Sequence, residues 1–329
     1  MREIFDWKIV YEALAGIPLH YGVEVTNSVV VCTMRVDGTR AELGGTIRVD
    51  GEVVDEPRVI LEILRAQQRL GCNAALIVVV SPGTHARITE FFDALYQDWP
   101  LEYHAGNALH TRDAIAAGCG CGETVEMGDP LELMGTVTSS RYWGRNVLSN
   151  ERDFRARRTP GAVLARKLDE LLSQVPTPID TTGATEHLLR AVRTFGAPPM
   201  TQRATILRAL EIAAFRDGFI SWASSTSPPP SDFTLVPSHS SGPDEFRIRD
   251  AISTVLDLCR WMPEGAAAAP IGTAAYLAWY SGNGLQARVL TTQALEEDPS
   301  YRLALLVESA LTGMVAPPWV TPEGARLVS

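Results

Sequence analysis

Two histidines and two cysteines near residue 110 have the side chains that zinc prefers. In His104, His110, Cys119 and Cys121, two imidazoles and two thiolates supply the four nitrogen and sulfur ligands of a tetrahedral site. Glycines on both sides of each cysteine would let the backbone fold closely around the ion. The spacing differs from that of a zinc finger, so two other interpretations stay open: a redox pair of thiols, and a glycine-rich loop with ordinary cysteines.

A second candidate site follows the most apolar stretch of the chain. Ser81, Gly83, Thr84 and His85 come directly after Ala74–Val80 and before a predicted helix. In open α/β sheets, anions and small ligands bind at this point because backbone N–H groups and the helix dipole face it. His85 would act there as an acid or a base. The alternative is a turn in which Thr84 is the helix N-cap and the histidine is solvated.

Basic residues are concentrated between positions 141 and 167. Arg155, Arg157 and Arg158 lie in the middle of this stretch, where positive side chains outnumber negative ones. Such a patch suits an acidic partner or a phosphate group. The alternative is a solvated linker that leads into a helix.

The composition excludes several common functions. The chain has 329 residues, of which 46% are hydrophobic, and this composition predicts folded domains. The net charge of -10 argues against nucleic acid as the main partner, because binding to phosphates needs clustered positive charge. The only lysines are Lys8 and Lys167, and neither follows a glycine-rich loop, which excludes Walker-type NTPases and protein kinases. Asp180-Thr181-Thr182-Gly183 has one threonine more than the aspartic-protease signature and predicts a turn.

The sequence predicts a cytoplasmic protein with reduced thiols. Met1–Val10 has no secretion signal, and the longest apolar run is far too short to cross a bilayer. The five cysteines are an odd and sparse set that does not describe a disulfide framework. No cofactor is predicted apart from the possible zinc ion.

Residues 1–150 have the pattern of an α/β or α+β domain. The predicted elements are a hairpin of Val29–Val36 and Arg40–Val49, a helix from Pro57, a buried strand Ala74–Val80, a helix after Thr84, and a pair of short strands, Leu101–Ala105 and Ala108–Thr111. The order β-β-α-β-α-β predicts a mixed sheet with helices.

Residues 151–329 predict an α-helical domain. Amphipathic patterns follow one another, with predicted helix starts at Thr159, Thr185, Thr201, Asp244, Ile271, Leu285 and Ser300. The Pro/Ser-rich stretch 224–243 predicts a mobile loop.

The last helices have the spacing of a tetratricopeptide-like hairpin. Gly282 would make the turn, Ala287 and Ala294 would allow close helix packing, and Pro299 would end the unit. A binding array needs about three or more stacked repeats. Two interpretations therefore stay open: a hairpin packed on the domain core, and one that contributes to a peptide groove.

Three stretches of the chain resemble one protein family. Gly16–Arg35, Gly144–Phe154 and Ala274–Met314 are similar to the opening, the link and the last segment of the actinobacterial domain-of-unknown-function family 4192. The resemblance spans nearly the whole chain, and it implies a fold without an assigned activity. The arginine-rich, lysine-poor composition fits a GC-rich actinobacterial genome or one of its phages.

These observations support two hypotheses about function. The first is a non-enzymatic interaction or scaffold protein with an unidentified protein partner, because common catalytic motifs are missing from the sequence. The alternative is a metal-dependent or anion-binding enzyme that uses the loops 81–85 and 104–121. We expect no membrane partner.

Overall fold

The computed structural model describes a chain of two compact units, Met1–Asn150 and Glu151–Ser329. The described residues are 2–3, 27–37, 40–80, 85–110, 115–118, 124–126, 154–157, 163–194, 197–236 and 244–320. The first unit has a β-sheet with helices, and the second is helical. The predicted α+β fold class is confirmed.

The first unit contains one mixed sheet. Its strands in the described residues are β1 (Arg2–Glu3), β2 (Ser28–Asp37), β3 (Arg40–Asp50), β4 (Ala74–Val80), β5 (Tyr103–His110), β6 (Ile115–Gly118) and β7 (Thr124–Glu126). They lie in the order β3-β2-β4-β5-β6-β7, and β1 pairs with the first residues of β5. Strand β5 is parallel to β4 and to β1, and the other pairs are antiparallel.

The two strongest sequence patterns of this unit are confirmed. Strands β2 and β3 form the predicted hairpin, in which Asp37 lies opposite Arg40. Strand β4 lies between β2 and β5, and every one of its residues is buried. A strand covered on both faces has no polar alternation, which is why its sequence is continuously apolar.

Two helices cover one face of this sheet. Helix α1 (Pro57–Arg69) begins with proline, whose fixed φ suits the first helical position, and Gly71 follows its end at φ +88°. Helix α2 (His85–Gln97) connects the parallel strands β4 and β5. Apolar side chains of both helices share a core with alternate residues of β2 and β4.

One predicted element of the first unit is wrong. The pair of short strands around Gly106 is a single strand, β5, which follows β4 along its whole length. The register shifts between Ala75 and Leu76 of β4, so β5 has a bulge there, a place where a glycine is tolerated. The edge of β4 that does not pair with β2 offers continuous pairing to β5, and this outweighs the local turn signal.

The second unit has a continuous helical core in the part that the structure describes. Its helices are α3 (Val163–Gln174), α4 (Thr181–Thr194), α5 (Met200–Glu211), α6 (Ala213–Ala223), α7 (Glu245–Leu258), α8 (Ala268–Tyr280), α9 (Gly284–Glu297) and α10 (Arg302–Thr312). Their buried apolar side chains form one cluster. None of the helices in the described ranges has the length and apolar character to cross a membrane.

Helix α4 begins earlier than its predicted cap, Thr185. The Oδ1 atom of Asp180 accepts a hydrogen bond from the backbone N–H of Gly183 at 2.9 Å, which is the bond of an N-terminal cap. Thr185 is fully buried inside the helix, and its hydroxyl accepts from the backbone N–H of Phe233 at 3.0 Å. The threonine therefore fixes a distant segment and does not begin the helix.

The stretch 224–243 is predicted to be mobile, but its described part, 224–236, is anchored on the core. Phe233 is fully buried and lies edge-on to Phe215 and Phe219, with ring centroids 5.3 Å apart in each pair. A single aromatic residue in a polar segment has therefore found a core position. Burial of such a ring stabilises by about 1.5–3 kcal/mol.

An arginine on α7 fixes the first residues of the same stretch. Arg247 donates hydrogen bonds to the carbonyls of Trp222 at 3.1 Å and Ser227 at 2.9 Å, and to that of Ser225. Its guanidinium also lies over the Trp222 ring, 4.9 Å from the centroid. These contacts satisfy carbonyl groups at and beyond the end of α6 and hold the chain as it leaves the helix.

Helices α8 and α9 form a hairpin. Gly282 lies in the turn at φ +86°, Asn283 caps α9 by accepting from the N–H of Gln286 at 3.0 Å, and Ala287 and Ala294 are fully buried. The turn and the two close-packed alanines are where the pattern expects them. The tetratricopeptide-like assignment itself stays a prediction.

Candidate functional site

The structure places the two histidines of the predicted zinc site at opposite ends of β5. His104 pairs with Ala75 and His110 with Val80, and the strand between them is extended, so at about 3.3 Å per residue their Cα atoms lie ~20 Å apart. This separation is incompatible with one zinc ion bound by both imidazoles. Cys119 and Cys121 lie outside the described residues. Zinc binding at these two cysteines stays a prediction.

No alternative metal site is present among the described residues, because no three His, Cys, Asp or Glu side chains are grouped there. Cys32, Cys72 and Cys259 are free thiols and are buried. Burial raises the pKa of Cys32 to about 12, although a hydrogen bond with Thr46 lowers it. The Cys32 thiol therefore stays protonated at neutral pH and is a poor nucleophile or metal ligand.

The predicted anion site lies mostly outside the described residues. Ser81, Gly83 and Thr84 are not described, and His85 is the first residue of α2, without a described side chain. The site would lie at the carboxyl end of the buried strand β4, as expected for a small-ligand site in such a sheet. Anion binding there stays a prediction.

The basic segment 154–157 is attached to helix α9. Gln293 accepts from the backbone N–H of Ala156 at 2.8 Å and donates to its carbonyl at 3.1 Å. Arg155 forms an ion pair with Glu296, so its charge is already matched within the unit. Arg157 is exposed, and Arg158 lies outside the described residues. Arg155 is therefore less free to bind a partner than the exposed Arg157.

The stretch that is similar to an aspartic-protease signature is a structural contact. Thr181 and Thr182 donate to Oδ2 of Asp232 at 2.6 and 3.2 Å, and Oδ1 of Asp232 accepts from the N–H and the hydroxyl of Thr234, both at 2.8 Å. Burial raises the pKa of Asp232, but the hydrogen bonds from these threonines together lower it by more than burial raises it. The pKa of Asp232 therefore lies below its ordinary value. The carboxylate therefore holds the segment after Pro230 against the start of α4.

We expect Asp232→Asn to lower the free energy of unfolding by about 1–2 kcal/mol at pH 7. Because the folded-state pKa is lowered, the carboxylate's contribution is complete above the unfolded-state pKa of about 3.9 and is lost as the pH falls through the folded-state pKa. Urea unfolding at pH 7 and pH 3 measures this. The exposed Asp169→Asn is the control and should change little at either pH. A deficit for Asp232→Asn that is equally large at both pH values would contradict the assignment.

A polar-aromatic cluster joins three helices of the second unit. Arg216 on α6 donates to the Oη atom of Tyr301 at 3.0 Å and to Asp217 at 2.7 Å. Tyr301 directly precedes α10, and its ring lies so close to Gly272 of α8 that a Cβ there would be 2.6 Å from it. Burial raises the pKa of both Tyr276 and Tyr301, so both phenols stay protonated at neutral pH. The Asp217 carboxylate of this cluster is ion-paired with Arg216, and the cluster fixes the start of α10.

Helix α10 packs one face on the core and exposes the other. Leu303, Ala304 and Val307 are buried. The exposed face carries two leucines beside polar residues such as Arg302 and Glu308, and two further apolar residues follow the end of the helix. These four large apolar side chains are exposed by 39–59% of their surface, and we call them the α10 surface: Leu305, Leu306, Met314 and Val315. Exposed groups of apolar residues are commonly interaction sites, so this surface is the best candidate for a binding site in the described part.

Sequence spacing does not reveal these groups. Tyr301 directly follows Ser300, the predicted start of a helix, and no local pattern connects it with its partner Arg216, which is 85 residues away in the chain. Asp232 lies in a stretch predicted to be a loop. The leucines of α10 are predicted to be helical, but which of them stay exposed depends on how α8 and α9 pack against that helix.

The fold and the surface define a two-unit α+β protein whose helical unit exposes large apolar side chains on and directly after α10. The model of the family described as "Domain of unknown function (DUF4192)" matches residues 11–318. The chain belongs to this family. A search of curated proteins and a search of solved structures each found no match.

Proposed function

We propose that the protein is a non-enzymatic interaction or scaffold protein of the cytoplasm that binds a partner protein through the α10 surface. The observation that carries the proposal is the exposure of Leu305, Leu306, Met314 and Val315. These make up half of the large exposed apolar side chains in the described ranges. Apolar patches on folded proteins are commonly interaction sites.

The geometry of α10 supports a helical or extended partner segment. Leu305 and Leu306 are consecutive, so their side chains diverge by about 100° around the helix and lie on either side of Ser309, which is exposed and small. A partner that lays an apolar stripe along this face would cover Leu305 and Leu306 together, as in helix-in-groove recognition. The cluster of Arg216 and Tyr301 keeps the start of the helix fixed, which lowers the entropic cost of binding.

We expect Leu306→Glu to abolish capture of the partner without unfolding the protein. Leu306 is 59% exposed, so the change should alter stability by no more than about 0.5 kcal/mol, whereas a carboxylate in an apolar interface is costly. The measurement is affinity capture from native lysate with quantitative mass spectrometry. Leu235→Glu, which changes an exposed leucine elsewhere on the same unit, is the control.

The expected result is a stoichiometric partner that is recovered by the wild type and by Leu235→Glu and is lost with Leu306→Glu. Recovery of the same proteins by all three variants, or of no stoichiometric partner by any, would refute the α10 surface as the binding site. Circular dichroism of each variant checks that the helices are retained.

A further inference from the structure

We propose that the aromatic residues on one face of α8 bind a short proline-containing peptide, and that the chain's own segment Val315–Trp319, in which Pro318 and Trp319 begin a 3-10 turn, occupies this site. The inference rests on the proposed interaction function and names the chemical class of partner. We call Tyr276, Trp279 and Tyr280 the aromatic row, and Val315–Trp319 the Pro-Trp segment.

The aromatic row is a continuous ring surface. Tyr276, Trp279 and Tyr280 lie at helical spacing i, i+3 and i+4, which puts them on one face. The ring of Tyr276 is edge-on to Trp279 at 5.4 Å and stacked on Tyr280 at 6.3 Å, measured between centroids. Tyr280 is buried, while Tyr276 and Trp279 are half-buried. Part of this surface is therefore within reach of a ligand.

The Pro-Trp segment is joined to α8 by two indole hydrogen bonds of opposite direction. The Nε1–H of Trp279 donates to the carbonyl of Val315 at 3.1 Å, and the Nε1–H of Trp319 donates to the carbonyl of Tyr280 at 2.7 Å. Between these two bonds lie Ala316, Pro317 and Pro318, and Pro317 is buried. The segment is thus held at both of its ends by the last two residues of α8, with its two prolines between the two hydrogen bonds in sequence.

This arrangement has the chemistry of proline-rich peptide recognition. Proline has no N–H and a fixed φ, so a proline-rich strand presents free carbonyls in a preformed shape and loses little entropy on binding. Aromatic grooves bind such strands, and an indole N–H supplies the donor that a carbonyl needs. Trp279 and the carbonyl of Val315 make such a contact at an exposed position. A partner peptide of the same composition can make the same contact.

The tether makes the Pro-Trp segment an internal competitor. Met314, at φ +50°, lies between the end of α10 and the segment, so the segment is held close to the aromatic row. A short tether gives the segment an effective concentration in the millimolar range at the aromatic row. An external peptide therefore binds only if it displaces the segment or if the segment has already been released. Met314 and Val315 belong to the α10 surface, so a partner that covers this surface would act on the same segment.

The test uses fluorescence anisotropy with a dye-labelled peptide, Gly-Met-Val-Ala-Pro-Pro-Trp-Val, which copies residues 313–320. Trp319→Phe removes the indole donor that fixes the segment and keeps an aromatic ring. This variant of the full chain is expected to bind the peptide at least tenfold more tightly than the wild type does. Adding Trp279→Phe, which removes the other donor, is expected to weaken binding at least tenfold. A peptide with both prolines replaced by alanine is the matched control and should bind at least tenfold more weakly.

Absence of binding to Trp319→Phe, or binding that is unchanged by Trp279→Phe, would overturn the proposal. If Trp319→Phe loses its helical circular dichroism, the wild type is titrated at millimolar peptide instead. The peptide must then bind to the wild type and bind less to Trp279→Phe, and an equal response of the two proteins would overturn the proposal.

The result is independent of the capture experiment, because it uses a synthetic peptide and no native partner. If the peptide fails to bind while Leu306-dependent capture stands, only the proline-rich class of partner is refuted. If the peptide binds while capture does not depend on Leu306, the site on α8 stands and the proposed role of the α10 surface is refuted.

Discussion

Replacing Gly218 by alanine is expected to lower the free energy of unfolding by about 2–3 kcal/mol. A Cβ atom at this position of α6 would lie 1.8 Å from the carbonyl oxygen of Phe233, which is main chain and has little room to move, because Phe233 is held in the core. The methyl group can be accommodated only if the segment around Phe233 moves away from α6. The rings of Phe215 and Phe219 would then lose their edge-on neighbour.

The sign of this effect is what makes the prediction sharp. Alanine in place of glycine inside a helix ordinarily stabilises a protein by about 1 kcal/mol, because glycine has the greater backbone entropy in the unfolded chain. Gly284→Ala, in the first turn of α9, is the control: its Cβ would have Leu311 as nearest neighbour at an ordinary 3.7 Å, so a neutral or stabilising effect is expected. Urea unfolding of both variants, followed by circular dichroism, measures the difference. A Gly218→Ala protein at least as stable as the wild type would show that Phe233 is not packed on α6.

The elements that local signals specify were predictable from the sequence. Strand β4 has a continuous apolar run, helix α1 begins at Pro57 and is followed by Gly71, and the β2–β3 hairpin surrounds Asp37. Each of these signals lies within a few residues of the element that it determines. The helical nature of the second unit follows from the same kind of local periodicity.

The elements that long-range contacts specify were not predictable. Strand β5 is continuous because β4 offers it a partner, and α6 (Ala213–Ala223) has no clear amphipathic pattern because nearly all of its second half is buried. The loop that contains Phe233 looks polar over most of its length, and a single residue anchors it. The burial of such a residue depends on the space that other helices leave in the core. A short stretch of sequence around the residue carries no information about that space.

The candidate site shows the same limit. The helix that carries Leu306 is predicted, but its exposure depends on the packing of α8 and α9. The contact of Trp279 with Val315 joins residues that are 36 positions apart. The zinc hypothesis was built on residue types alone, and the extended backbone of β5 separates His104 from His110.

Arg203 is expected to have the largest effect on the stability of the second unit. Its side chain is 1% exposed, and its guanidinium donates to the carbonyl of Leu258 at 3.1 Å, to that of Asp257, and to the Asp257 carboxylate at 3.0 Å. The carbonyls are among the last of α7, which have no partner within the helix. The guanidinium also lies 4.6 Å from the centroid of the Trp261 ring, so it joins α5 to the end of α7.

We expect Arg203→Ala to lower the free energy of unfolding by about 3–5 kcal/mol, because it leaves a cavity and removes the donors from buried carbonyls. Arg203→Met fills most of the volume without any hydrogen-bond donor. The loss of stability that remains in Arg203→Met therefore measures the contribution of the hydrogen bonds, and the further loss in Arg203→Ala measures that of the cavity. The control is Arg190→Ala on α4. Arg190 is 55% exposed and pairs with Glu186 one turn away, and such a pair contributes less than about 1 kcal/mol.

The dependence on salt separates the two arginines further. The Arg190 pair is exposed to solvent and should be screened as salt is raised to 0.5 M, whereas Arg203 is enclosed by protein and its contribution should persist. The deficit of Arg203→Ala, measured by urea unfolding, is therefore expected to be the same at low and high salt. A deficit below about 1 kcal/mol, or one that disappears at high salt, would mean that the guanidinium is solvated and that α5 and α7 are joined by apolar packing alone.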